Sequence, residues 1–170
     1  MTGIAAPRTR FSTPGDTDIV VVREFAAPRG KVWAAYTRPE HLQQWLSTPD
    51  WPMDLCEVDL RVGGTYRYRW RKRRLTGEPV ESFSFSGQFL EVDAPSRLVS
   101  TETYEPAAST TVDAPRTVVT LILDEADGRT TLTLVLRYPS REVRDAVFAG
   151  GMARGLDTNL TQLEDLLASG

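Results

Sequence analysis

Polar and apolar residues alternate along most of this chain, and the period of that alternation changes from two to nearly four at both ends. Asp18 to Phe25 (DIVVVREF) is β-branched and predicts a first strand. Pro28 then opens a short helix whose buried side carries Val32, Trp33 and Tyr36. A second short helix restarts at Pro39 with Leu42, Trp45 and Leu46 at helical spacing, and the stretch from Ser47 to Pro52 ends it. Strand signals follow in series. Leu55 to Val62 sets Val58, Leu60 and Val62 against Glu57, Asp59 and Arg61, and Gly63-Gly64 supplies a tight turn. Thr65 to Lys72 sends Tyr66, Tyr68 and Trp70 one way and Arg67, Arg69 and Arg71 the other. Ser82–Val92 places Phe83, Phe85, Gly87 and Phe89 on one face, and Arg97 to Tyr104 is a further strand. Thr117 to Leu123 and Thr130 to Tyr138 make a last hairpin, turned at Asp127-Gly128.

The period then lengthens. Ser140 is placed to cap a helix, with Glu142 in its first turn where negative charge suits the dipole. Ala146, Ala149, Met152, Leu156, Leu160, Leu163 and Leu167 recur at three- and four-residue spacing, predicting one amphipathic helix of roughly 25–28 residues. Gly150, Gly151 and Gly155 interrupt it. They mark either a bend or close packing, or else room left for a ligand.

Consecutive strands with short connections form an antiparallel meander, and such a sheet must cover its apolar face. Only the terminal helix is long enough to do so. The expected fold class is therefore α+β: a curved antiparallel sheet of about six or seven strands wrapped around a long C-terminal helix, with two short helices after the first strand plugging one end. Residues 1–16, rich in Pro, Thr, Ser, Arg and Gly, read as a flexible arm, and residues 17–170 as a single domain.

Composition changes this picture little. A net charge of −3 gives no global attraction to nucleic acid or to an anionic membrane. No apolar run approaches the ~20 residues that span a bilayer, and the first residues lack the apolar core of a secretory leader. The lone Cys56 cannot form an internal disulfide, which fits the cytoplasmic location expected here. Lone His41 and Cys56 cannot make a structural zinc site, so neither a metal nor a cofactor is expected, and they make a nucleophilic pair only if the fold joins them. Arg67, Arg69, Arg71, Lys72, Arg73 and Arg74 form a local basic patch. The aromatics interleave on the opposite face, not beside the basic groups as nucleic-acid stacking requires. A solvated face, an acidic partner surface or the mouth of an anionic site is the expectation.

Four segments in this order carry a resemblance: REFAAPRGKVWAAYTRPEHLQQW, VDLRVGGTYRY, GQFLEVDAPSRLVSTE and TTLTLVLRYPSREVRDAVFAGGMARGLDTNLTQLEDLL. Together they resemble the START-like (SRPBCC) helix-grip superfamily, in the AHSA-type branch named after the activator of a heat-shock chaperone ATPase. The resemblance runs from Ile19 to Leu167 and includes no catalytic signature. It departs from the branch at Leu46, where relatives commonly carry a second tryptophan, and in the basic 71–81 loop. It implies a small hydrophobic or aromatic ligand held between sheet and helix.

On that reading Tyr66, Tyr68, Trp70, Phe83, Phe85 and Phe89 form an aromatic sheet face, and Met152 and Leu156 lie opposite. Trp33 and Trp45 from the plug helices, and Tyr104, complete the candidate lining, although core packing accounts for most of these residues as simply. Arg23, Glu102 and Arg137 are strand charges for which two placements stand: inward, paired or functional, or outward at a flipped strand end. An inward Glu102 is the candidate acid or base. Three functions are expected to compete. The first is ligand binding without chemistry. The second is a cyclase- or hydratase-like reaction on an aromatic or polyketide-like substrate. The third is a stress- or chaperone-linked interaction, although the activator resembled also uses a separate N-terminal domain that the segment before about residue 17 is too short to supply. A homodimer is compatible with the exposed sheet edges.

Overall fold

The structure, a computed structural model, describes residues 8–72, 81–107 and 116–170. Its elements are β1 (Thr9–Ser12), β2 (Asp18–Phe25), α1 (Arg29–Thr37), α2 (Pro39–Trp45), β3 (Met53–Val58), β4 (Thr65–Arg71), β5 (Ser82–Asp93), β6 (Arg97–Pro106), β7 (Thr117–Ala126), β8 (Arg129–Arg137), α3 (Arg141–Ala149) and α4 (Met152–Ser169). The strands form one sheet in the order β1-β2-β8-β7-β6-β5-β4-β3, with every neighbouring pair antiparallel. The expected meander is thus present, closed along β2 and β8. This is an α+β helix-grip fold.

Four expectations need correction. Thr9–Ser12, read as part of a loose arm, is a strand paired with β2 through Thr9↔Arg23 to Ser12↔Val20. A four-residue segment this polar has little strand signal of its own, and the unpaired edge of β2 supplies its hydrogen bonds. Second, the strand expected up to Val62 stops at Val58. The chain turns through Asp59–Gly64, leaving Leu60 and Val62 exposed. A Cβ on Gly64 would lie 2.0 Å from the Asp59 carbonyl oxygen, so glycine is required there. Third, Pro28 is the residue before α1, whereas Pro39 does occupy the first turn of α2.

The fourth concerns the terminal rod. It is two helices, because Gly151 adopts φ +91° between them. That left-handed conformation ends α3 and is inexpensive only for glycine. A Cβ on Gly151 or Gly155 would meet nothing within 4 Å, so neither is present for close packing against the sheet. The predicted start of the rod is present: the Val143 amide donates to Ser140 Oγ at 3.2 Å. Leu160 and Leu163 of α4 are fully buried in one cluster with Phe25, Leu123, Leu132 and Val32. Each such leucine contributes about 2 kcal/mol through removal of its surface from water.

Candidate functional site

Pleat parity and register together lay the concave face out in rows that cross the strands. At one end lie Leu123, Leu132, Arg23 and Thr9, followed by Leu98, Leu121, Leu134, Val21 and Phe11. Next come Phe89, Ser100, Val119, Leu136 and Ile19. The following row runs Val58, Tyr66, Gly87, Glu102, Thr117, and Tyr138 just beyond β8. Beyond it are Cys56, Tyr68, Phe85 and Tyr104, and then Met53, Trp70 and Phe83. The face is thus mainly aliphatic at one end and aromatic at the other, with one polar row between.

The aromatic end is a continuous set of ring contacts. Trp70 stacks on Phe83 at 4.9 Å and meets Phe85 edge-on at 5.8 Å, and Phe85 meets Tyr104 at 5.3 Å. The Trp70 indole N–H donates to the Leu46 carbonyl at 2.8 Å, which fixes the ring against the end of α2. Tyr104 is 50% exposed and opens this cluster to the outside.

Gly87 makes the polar row possible. A Cβ there would stand 1.8 Å from the Thr101 carbonyl oxygen and 2.7 Å from Tyr66 Cε1. With only hydrogens on Gly87, the Tyr66 ring crosses β5 and its hydroxyl donates to the Thr101 carbonyl at 2.8 Å, beside Glu102. Tyr66, Tyr68 and Tyr138 all feel the Glu102 charge, and Tyr68 also feels Cys56 and Tyr36. Burial pushes the Glu102 carboxyl up to about 7 and the Tyr138 phenol up to about 12, and raises Tyr36, Tyr66 and Tyr68 as well. Tyr36, Tyr68 and Glu102 therefore lie deep in the molecule. Each nevertheless keeps part of its surface accessible. Among the described residues nothing hydrogen-bonds or ion-pairs with the Glu102 carboxyl.

The other residues singled out from sequence fall into distinct places. Phe89 and Tyr66 are buried with their rings 5.4 Å apart. Trp33 and Trp45 are core residues: Trp45 packs on Tyr36 at 4.9 Å and its indole N–H is taken up by the Ala35 carbonyl. Met152 and Leu156 are partly buried against the core from the α4 side. Arg23 points inward and is 1% exposed, whereas Arg137 points outward, its guanidinium on both oxygens of Asp18. Burial, with Glu40 second, pushes the Cys56 thiol up to about 11, the opposite of what a nucleophilic thiol needs. Among the described residues no group of three His, Cys, Asp or Glu side chains is placed to hold a metal ion. No described helix is long and apolar enough to cross a membrane.

The basic stripe is outward-facing, as expected, but is largely neutralised. Asp54 pairs with Arg69 and Arg71 at 2.9 and 3.2 Å, Glu105 with Arg67 at 3.6 Å and Glu81 with Lys72 at 3.6 Å. A cleft of about 360 Å³ beside it is lined by Arg67, Arg69, Ser82, Ser84 and Glu105. Arg73 and Arg74 lie outside the described residues.

Tyr36 and Tyr138 belong to the polar constellation but were not singled out as site residues. Parity through Leu132, Leu134 and Leu136 carries Tyr138 onto the concave face, and that signal was available in the sequence. Nothing in the sequence aligns Tyr36, on a plug helix, with Tyr68.

Residues 26–168 match the family described as Activator of Hsp90 ATPase homolog 1-like protein. The chain belongs to this family. Among solved structures, a Rhodobacter sphaeroides protein is 30% identical over 95% of this chain and 98% of its own, with a TM-score of 0.80. A Mycobacterium smegmatis protein is 26% identical over 95% and 97%, with a TM-score of 0.81. CalU16 from Micromonospora echinospora is 25% identical over 91% and 85%, with a TM-score of 0.61. No curated protein matches the sequence. The chain thus shares its fold with these neighbours.

Proposed function

We propose that this family member binds a small hydrophobic or aromatic molecule between the aromatic half of its sheet and the N-terminal part of α4. One observation carries the reading. Tyr36, Tyr68 and Glu102 are enclosed deeply enough for burial to govern their protonation, yet they retain accessible surface, as side chains facing interior space do. Met152 and Leu156, incompletely buried on the helix side, support the same placement. Trp70, Phe83, Phe85 and Tyr104 would form the apolar wall and Trp33, Trp45 and Phe89 its supporting core. Native mass spectrometry of freshly purified protein tests this. A co-purifying small molecule lost on Tyr68→Ala substitution is the expected result. A bare chain that also fails to bind any apolar probe in calorimetry would overturn it.

A second reading, a cyclase- or hydratase-like reaction, draws on one specific feature. Glu102, its carboxyl pushed up to about 7 by burial, is suited to move a proton at neutral pH. It predicts turnover of a bound aromatic or polyketide-like carbonyl compound that Glu102→Gln abolishes without weakening binding. The family's description motivates a third, chaperone-linked role, for which stimulation of the chaperone's ATPase by this chain is the test.

A further inference from the structure

Arg23 and Glu102 are the charged side chains in the rows described above, and they differ in how they are satisfied. The Arg23 guanidinium reaches Glu164 at 2.6 Å, Thr9 at 3.0 Å, Thr161 at 3.3 Å and Asp157 at 3.4 Å. Both terminal nitrogens are occupied, Nε alone having no partner, and the group lies three rows away from Glu102. Glu102 has no protein partner among the described residues. A carboxyl withdrawn from bulk water without a hydrogen bond is costly, and an uncharged residue would fill the same strand position without that cost.

The surroundings define what would complete it. The Tyr66 proton is committed to the Thr101 carbonyl, so this phenol has none to donate to Glu102. Facing Glu102 from β4 are Tyr66 and Tyr68, and from the end of β8 Tyr138, with Cys56 of β3 and Tyr36 of α1 next to Tyr68. None of these is a cation. The described surroundings therefore offer one anion and several aromatic phenols, a set complementary to positive charge and to N–H donors. A carboxylate or phosphate would meet like charge there, with no described cation on that wall to receive it.

We propose that the interior site takes a hydrophobic or aromatic molecule bearing a basic nitrogen, with its N–H group on the Glu102 carboxylate and its apolar body over Tyr68 and Phe85. This rests on the ligand-binding reading above and adds the chemistry of the head group. Calorimetric titration of the full chain with naphthylmethylamine, naphthalenemethanol and naphthoic acid tests it, since the three share a body and differ in charge. The amine is expected to bind on the order of tenfold tighter than the alcohol, with the acid weakest. In Glu102→Gln the amine's advantage should fall to about twofold or less, while the alcohol's affinity stays within about threefold. The melting profile of the variant confirms that it folds. The wild-type chain gives a second readout that needs no variant: amine binding should strengthen from about pH 5 to about pH 8 as Glu102 ionises, and alcohol binding should not. Alcohol binding with no preference for the amine, or an acid that binds as well as the amine, would overturn the head-group assignment and leave the interior site standing. If none of the three binds, both readings fall.

Discussion

Arg23 and Glu102 sit on the same curved face, three rows apart, and the molecule treats them in opposite ways. Around Arg23 the aliphatic end is closed: Leu132 and Leu123 are fully buried beside it, and α4 delivers Asp157, Thr161 and Glu164 to its guanidinium. Around Glu102 the face is aromatic, part-open and, among the described residues, without a cation. A buried charge with its partners in place is a structural joint, here fastening β1, β2 and α4 together. A buried charge without them marks a place where the fold has accepted a cost, and such places are where binding and chemistry concentrate. A charge on the same face thus supports stability at one end and, in the proposed function, a site at the other.

That contrast can be broken at several points. Gly87→Ala should have the largest effect, about 3 kcal/mol of lost stability in urea unfolding, because its Cβ collides with the Thr101 backbone and the Tyr66 ring. A variant near wild-type stability would mean that the polar row is not held as described. Arg23→Ala should cost about 2 kcal/mol. Its partners Asp157 and Glu164 reach solvent and can rehydrate, so the loss stays below that of a fully sealed pair. Arg23→Met should recover part of it, and a loss unchanged by methionine would show that packing contributes nothing at this joint.

Glu102→Gln should act in the other direction. The folded carboxyl titrates at about 7 against 4.5 when free, so between those values the unfolded chain has released its proton and the folded chain has not. Fewer protons are then bound in the unfolded state, and stability falls as pH rises through that window. Below 4.5 both states are protonated and no penalty exists; above 7 the whole penalty is present. Glu102→Gln should remove this descending limb and gain roughly 1–2 kcal/mol at about pH 8, with water in reach of the carboxyl moderating the figure. Asp18 and Asp54, lowered mainly by their hydrogen bonds to Arg137 and Arg69, contribute stability that is lost as pH falls, so the wild-type and variant curves must be subtracted. Parallel curves would show that Glu102 is not the buried acid described. The smallest effect belongs to Tyr104→Ala, below about 1 kcal/mol, since half of this ring is already in water. A larger loss in thermal unfolding would mean the aromatic end is as closed as the aliphatic one.

Much of this was legible beforehand. The alternation in Thr65–Arg71 assigned Tyr66, Tyr68 and Trp70 to one face and the arginines to the other, and the structure places them so. The Asp127-Gly128 turn and the Ser140 cap were likewise readable, because each depends on two or three adjacent residues. Thr9–Ser12 was not, since its strand exists only where β2 offers an unpaired edge. Nor was the break at Gly151: a helical pattern continues in phase across it, and only the backbone angle reveals that two helices share one stripe.

What the sequence by itself determined is therefore local and periodic: the strands, the caps, the turn glycines and the side of each strand that faces inward, all set by steric preference and by the exclusion of apolar surface from water. Which inward charge would be paired, and which left alone, was decided by tertiary structure. Arg23 and Glu102 look alike as single charges on alternating strands, and their difference arises because α4 passes over Arg23 with acceptors whereas no described group pairs with Glu102. Partnership between charges depends on distance in space, and over separations such as the one between Arg23 and Glu164 only the folded chain brings the groups together.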